Sequence, residues 1–212
     1  MVDGYELLEN VISKDDIEYL QEYTLLVKRR VIPKIGSSRS EGGGIYWRGI
    51  DMASKFSMSS QEENKRLYDF YTSNFMYDIA RNHIKNPYLF NDQIVVKLPN
   101  ERFWFEPHFD NQYGPEPNDK ELVTINCMLI LDDFTQENGA ISLKSTISNT
   151  WRTIYPKTGD MLLIDGNTMH SSKRNKTDKV RRAYICVYAN KPIGEGFKEG
   201  YYYKKFKKSE KK

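Results

Sequence analysis

The sequence of 212 residues predicts a mainly β domain with helices packed on one face. Three observations lead there. Helical periodicity is confined to the part before residue 90. Beyond it the apolar period becomes two, in a run of short segments. Turn signals separate those segments. Helices first and short strands after are the pattern of helices laid on one antiparallel barrel or sandwich. With 15 Tyr, 10 Phe and 3 Trp the chain has the apolar volume for one full core.

The first helix is expected over residues 13–28. Ser13 caps it, Asp15 and Asp16 suit its first turn, and Ile17, Leu20 and Tyr23 or Thr24 recur at helical spacing. Residues 36–44 (GSSRSEGGG) read as a surface loop. No Gly-Lys-Ser/Thr follows its glycines, so it is not a phosphate-binding loop. A second, longer helix is expected over 60–84, capped by Ser59 or Ser60, with Leu67, Phe70, Tyr71, Phe75, Met76 and Ile79 as its core stripe. His83 at its end reads as a charge favouring the helix C-terminus.

Strands are expected at 93–98, 102–105, 122–131, 140–143, 151–155, 160–165 and 182–188. Asn138-Gly139, Pro156 to Gly159 and Asp165 to Asn167 supply turns. There is no internal repeat. Residues 1–197 read as a single domain and 198–212 as a Lys-rich tail.

The tail carries seven Lys and two Glu, a balance of +5 in a chain of net charge +3. The body is therefore close to neutral. The tail reads as a solvated terminus rather than a nucleic-acid-binding arm. No apolar run is long enough to span a bilayer. MVDGYELLEN has neither the basic nor the apolar region of a signal peptide, which points to the cytoplasm. Cys127 and Cys186, each inside an apolar strand, are then expected as buried, reduced thiols.

Two of the only three histidines fall in one constellation: His108-Phe109-Asp110, then His170, then Arg181 eleven residues on. An extended chain sets residues i and i+2 on one side, so His108 and Asp110 point at one ion together. Pro107 favours extended backbone at Glu106 just before them. Two imidazoles and a carboxylate on one face of Fe(II) leave positions open for a co-substrate and O₂. By ligand type alone, zinc is open as well. Arg181 decides between them. Period-two alternation sets Arg181, Ala183, Ile185 and Val187 on one face of the last strand. An inward guanidinium is costly unless it meets an anion, and its planar fork grips a carboxylate through two hydrogen bonds. A dicarboxylate would chelate the metal at one end and meet Arg181 at the other.

These residues carry a resemblance. The stretch from His108-Phe109-Asp110 through Asn138-Gly139, Gly159-Asp160, His170 and Arg181 resembles the phytanoyl-CoA dioxygenase family of Fe(II)/2-oxoglutarate oxygenases, over roughly residues 93–190. The resemblance implies a double-stranded β-helix (a jelly roll, or cupin-like barrel) of eight strands. By position it makes His108, Asp110 and His170 the iron ligands. Arg181 would hold the distal carboxylate of 2-oxoglutarate. Ser172, Asn126 and Gln93 match further co-substrate positions, and Lys97, four residues after Gln93 and so on its face, is a substrate or co-substrate candidate.

The chain departs from that pattern at Lys144-Ser145-Thr146, where the family usually has Pro-Gly-Ser-His. Asp110 is intact, whereas a halogenating relative typically lacks that carboxylate. Hydroxylation is therefore the expected reaction, with Fe(II), 2-oxoglutarate and O₂ as the reacting set and a small polar metabolite as substrate. Tyr46, Trp47, Arg48, Trp104 and Phe105 are candidates for lining its pocket. Three alternatives stand beside this: a prolyl-type protein hydroxylase, a non-catalytic cupin-like binding module, and a zinc hydrolase using Glu106, which period two would place on the side of His108.

Overall fold

The computed structural model describes residues 1–30, 45–47, 66–67, 69–100, 104–113 and 119–191. The expected loop 36–44, the start of the second helix, the first half of the 102–105 strand, Arg48 and the Lys-rich tail lie outside them. So do the side chains of Tyr46, Trp47 and Gln93. In chain order the elements are β1 (Tyr5–Leu8), α1 (Lys14–Arg30), β2 (Ile45–Trp47), α2 (Asn74–Arg81), β3 (Tyr88–Lys97) and β4 (Phe105–His108). A 3₁₀ turn (Asp110–Tyr113) follows, then β5 (Thr124–Ile130), β6 (Ile141–Lys144), β7 (Trp151–Ile154), β8 (Met161–Asp165), β9 (His170–Ser172) and β10 (Arg181–Ala189).

Strands β3 to β10 make the eight-stranded double-stranded β-helix. Four of them form the smaller sheet, in the order β4-β9-β6-β7. The other four lie in the larger sheet, where β1 and β2 extend both edges: β1-β8-β5-β10-β3-β2. All the pairings are antiparallel. The larger sheet is buried on both faces, which explains why β5 is buried at every residue. One face carries Val95, Met128, Ile130, Ile164, Ala183, Ile185 and Val187, packed against Ile141 and Leu143 of the smaller sheet. The other carries Ile94, Val96, Cys127, Leu129, Tyr184, Cys186 and Tyr188, packed under Leu20, Tyr23, Met76 and Ala80 of the helices. The expected alternation along β10 is therefore present. Cys127 and Cys186 are opposite each other in register, buried and unbridged.

Ser13 caps α1, its Oγ accepting from the Asp16 amide at 3.1 Å. The second helix differs from the expectation. Helical residues at 66–67 and 69–71 are followed by a break at Thr72 and Ser73. Ser73, with extended backbone, then caps α2 by accepting from Met76 N at 3.3 Å. Ser and Asn compete locally for backbone hydrogen bonds and so favour a cap here. The break shifts the helical phase, which is why Phe75 is exposed while Met76 is buried. His83 also departs from its expected role. Burial first, and then the positive charge of the amino terminus, hold its imidazole below the ordinary range, against the pull of Glu6 at 3.7 Å. It is therefore mostly neutral near pH 7 and is no helix-end charge.

Three strands carry no recognisable period in the sequence. β1 is a short edge strand on β8, β2 spans three residues, and β9 spans three that read as a loop. No described helix is long and apolar enough to cross a membrane.

Candidate metal centre

β4 and β9 pair so that His108 stands opposite His170 in register. Their rings lie 4.3 Å apart, centre to centre. Asp110 Oδ1 is 3.6 Å from His170 Nε2 and 4.0 Å from His108 Nε2. The three residues thus offer ligand atoms all within 4.8 Å of one another. The carboxylate arrives by a different route from the expected one. β4 ends at His108, and Asp110 opens the 3₁₀ turn instead of continuing the strand.

Both imidazoles are turned the same way. His108 Nδ1 faces the carbonyl of Glu106 at 2.6 Å, and His170 Nδ1 faces that of Thr168 at 3.0 Å. A carbonyl only accepts, so each Nδ1 carries the proton and each Nε2 presents a lone pair inward. Burial, then the nearby His170, hold His108 below the usual range, with the Glu106 carbonyl and Asp110 opposing. The neutral form that binds a metal is favoured. Glu106 itself is exposed, and a register shift between Phe105 and His108 breaks the alternation that would have aligned its side chain with His108. Its contribution here is its backbone oxygen.

A hydrogen-bonded clamp ties the two ligand-bearing segments together. Asn111, next to Asp110, takes a bond from Thr124 Oγ1 at 2.6 Å and gives one to Asn167 Oδ1 at 3.0 Å. Its amide donates to the carbonyl of Gly166, whose own amide donates to Thr124 O. A side chain on Gly166 would sit 1.8 Å from Thr124 Oγ1, so this crossing needs a glycine. Asn126, on β5, donates from Nδ2 to Asp110 Oδ2 at 2.9 Å.

The basic residues lie further along the barrel. Arg181 and Lys97 are register partners, both buried, at the ends of β10 and β3. The Arg181 guanidinium stacks 4.1 Å over Phe134, and Lys97 Nζ is 5.5 Å from the ring of Phe105. Lys97 also donates to the carbonyls of Ser172, at 3.3 Å, and Lys173. Ser172 is buried on β9, two residues past His170 and so on its side of the strand. Gln93 stands opposite Ile185 on β3. Gly139, with φ +78, lets the turn after Asn138 approach the Lys173 carbonyl, which a side chain would meet at 2.0 Å. Of the pocket candidates, Trp104 is exposed and Phe105 half-buried.

Sequence reasoning missed Thr124, Asn111, Asn167 and Phe134, and named Phe105 only as a pocket candidate. The Thr168 and Glu106 carbonyls were also missed, although each stands two residues before its histidine.

The phytanoyl-CoA dioxygenase family model matches residues 143–183, a span that holds His170, Ser172 and Arg181. Over that span the chain is similar to the phytanoyl-CoA dioxygenase family. Its fold is shared with AviO1 from Streptomyces viridochromogenes Tue57 at 16% identity and a TM-score of 0.69, covering 91% of this chain and 92% of that one. It is shared also with the non-heme alpha-ketoglutarate-dependent epimerase SnoN from nogalamycin biosynthesis (20% identity, TM-score 0.68, 88% and 78% covered). EctD from S. alaskensis, solved with 2-oxoglutarate and 5-hydroxyectoine, is a third (17% identity, TM-score 0.67, 88% and 72% covered). At such identities the likeness of this chain to these enzymes is one of fold. No curated protein sequence matches it.

Proposed function

We propose that this chain is an Fe(II)/2-oxoglutarate-dependent dioxygenase that hydroxylates a C–H bond of a small polar metabolite, such as an amino acid or a sugar. The observation that carries it is the triad with its imidazoles fixed: two Nε2 atoms and one carboxylate oxygen converge, and each Nδ1 is already committed to a carbonyl. Two nitrogens and one oxygen at one corner suit Fe(II) with open positions.

His108, Asp110 and His170 would hold the iron. With 2-oxoglutarate and O₂ bound there, the metal would supply an oxidant able to hydroxylate a C–H bond, with succinate and CO₂ released. The protein's part is placement. Two residues of β9 separate His170 from Ser172, about 6.6 Å along the strand. A five-carbon diacid has its carboxylates a similar distance apart. It would lie along β9 with its near end at the metal and its far end at Arg181, Lys97 and Ser172. Two cations capped by aromatic rings, away from water, bind an anion more strongly than exposed ones do. They also favour an acid of two charges over a neutral compound. The apolar residues around them keep water out of the reaction zone.

The test is anaerobic. Fe(II) and 2-oxoglutarate added to the apo protein are expected to give a weak visible charge-transfer band, and admitting O₂ is expected to yield succinate. A folded, iron-loaded protein giving neither band nor succinate would overturn the proposal and return the barrel to the binding-module alternative. Succinate yield stimulated by one of a panel of amino acids and sugars identifies the substrate class; stimulation by a proline-containing peptide alone would favour the protein-hydroxylase alternative.

A further inference from the structure

Asp110 has two oxygens, and the metal reading above leaves open how many of them bind. The count matters. Three protein ligand atoms leave three positions of an octahedron, which a bidentate co-substrate and O₂ together fill. A carboxylate bound through both oxygens takes a fourth position. The co-substrate would then close the site to O₂.

Asn126 bears on this count. It is buried on β5, between Val187 of β10 and Ile164 of β8 in register. Those neighbours are apolar members of the barrel core. A polar side chain there is costly unless hydrogen-bonded. Its Nδ2 donates to Asp110 Oδ2 at 2.9 Å, while Oδ1 is buried with no hydrogen-bond partner among the described residues. A carboxylate only accepts, so the amide nitrogen must be the atom facing Asp110. The remaining Oδ1 accepts, and fully ionised 2-oxoglutarate has nothing to donate to it. The amide is therefore better matched to the metal's carboxylate ligand than to the co-substrate.

We infer that Asn126 is a positioning residue that occupies Asp110 Oδ2, restricts Asp110 to the metal through Oδ1 alone, and so keeps a third coordination position open. This rests on the metal reading above. Two geometric facts support it. Oδ1 is the Asp110 atom nearest both imidazoles, at 3.6 and 4.0 Å. The 3₁₀ turn that carries Asp110 is locked through Asn111 to the 166–167 turn, so the carboxylate has its own rotation as its main remaining freedom.

The test counts exchangeable water on Mn(II) bound to the full chain, through ¹⁷O-water broadening of its EPR lines. Mn(II) is used because it takes the same ligand types in octahedral geometry. Two variants, Asn126→Leu and Asn126→Met, remove the donor while keeping the volume, and the apo proteins are melted in parallel to confirm folding. The expected result is about three waters in the wild type and about two in both variants, since Oδ2 then takes the position it was denied. Three waters in the variants as in the wild type would overturn the inference and leave the metal reading standing. Loss of Mn(II) from variants that melt like the wild type would overturn it too, since Oδ2 would not have taken the freed place. A wild-type protein that binds no Mn(II) and no Fe(II) would overturn both.

Discussion

His108 and His170 are held by the same device, an Nδ1 hydrogen on a carbonyl two residues earlier. This makes the side chain of Glu106 dispensable. Glu106→Gln is expected to change Fe(II) affinity by no more than about twofold, as for an ordinary surface substitution. Equilibrium dialysis would check it, and a large loss would revive the zinc-hydrolase alternative, which needs that carboxylate as its acid or base. His83 gives a pH dependence of stability. Its folded value lies below the unfolded one of 6.5. Between the two, the unfolded chain binds more protons, so stability rises with pH through that window and is lost as pH falls below about 6.5. His108 is shifted the same way. His83→Gln is therefore expected to flatten, though not abolish, the drop in melting temperature between pH 7.5 and 5.5. At this scale the convergence of His108, Asp110 and His170 was legible because histidine is rare in the chain and the spacing is strict. The carbonyl partners were not, since a backbone oxygen has no letter in a sequence. Asn126 was legible as a position but not in its contact, because its partner Asp110 lies sixteen residues away on another element.

β10 begins at Arg181, and the residue after it fixes that beginning. Arg182 donates from Nε and from a terminal nitrogen to the two oxygens of Asp132, each at 2.7 Å, and its amide adds a third bond at 2.8 Å. The pair is largely shielded from water, with side-chain exposures of 17% and 22%. It therefore contributes more than a surface ion pair. Arg182→Met is expected to cost about 2 kcal/mol in urea unfolding, since Asp132 keeps its amide donor but loses the guanidinium. A change below about 0.5 kcal/mol would show the pair to be no more than an exposed one. Long strands such as β5 and β10 were readable because alternation or sustained apolarity extends over seven or nine residues. β9 was not, because three residues hold less than two periods, and its strand character comes from pairing with β4 and β6. The helix break at Thr72 and Ser73 was hidden for the opposite reason. The apolar residues on its two sides make one stripe on paper, and only the cap reveals the change of phase.

The assembled molecule joins its candidate metal ligands across a wide span of chain, with Asp110 and His108 from one segment and His170 from another. An ion bound there links the two, and it binds the folded state preferentially because the unfolded chain does not bring the three together. At a hundredfold excess over its dissociation constant an ion would stabilise the fold by about 2.7 kcal/mol. Anaerobic Fe(II), or Mn(II), is accordingly expected to raise the melting temperature by roughly 5–10 °C. Asp110→Ala should cancel that rise. The overall architecture was legible in the order of helix-like and strand-like segments. Strand neighbours were not, since pairings such as β1 with β8 join residues far apart in the chain and leave no local trace.

The position of β10 bears on how the protein is made. It is the last described strand, yet it lies between β5 and β3 in the larger sheet. A nascent chain that has emerged as far as residue 180 holds every other strand of that sheet but lacks the one that joins its two halves. Two apolar edges then wait unpaired on the ribosome. Folding of the barrel, and with it the meeting of Arg181 and Lys97, waits for the residues of β10. In the cell, the chain's yield would follow the supply of chaperones that shield those edges during the wait.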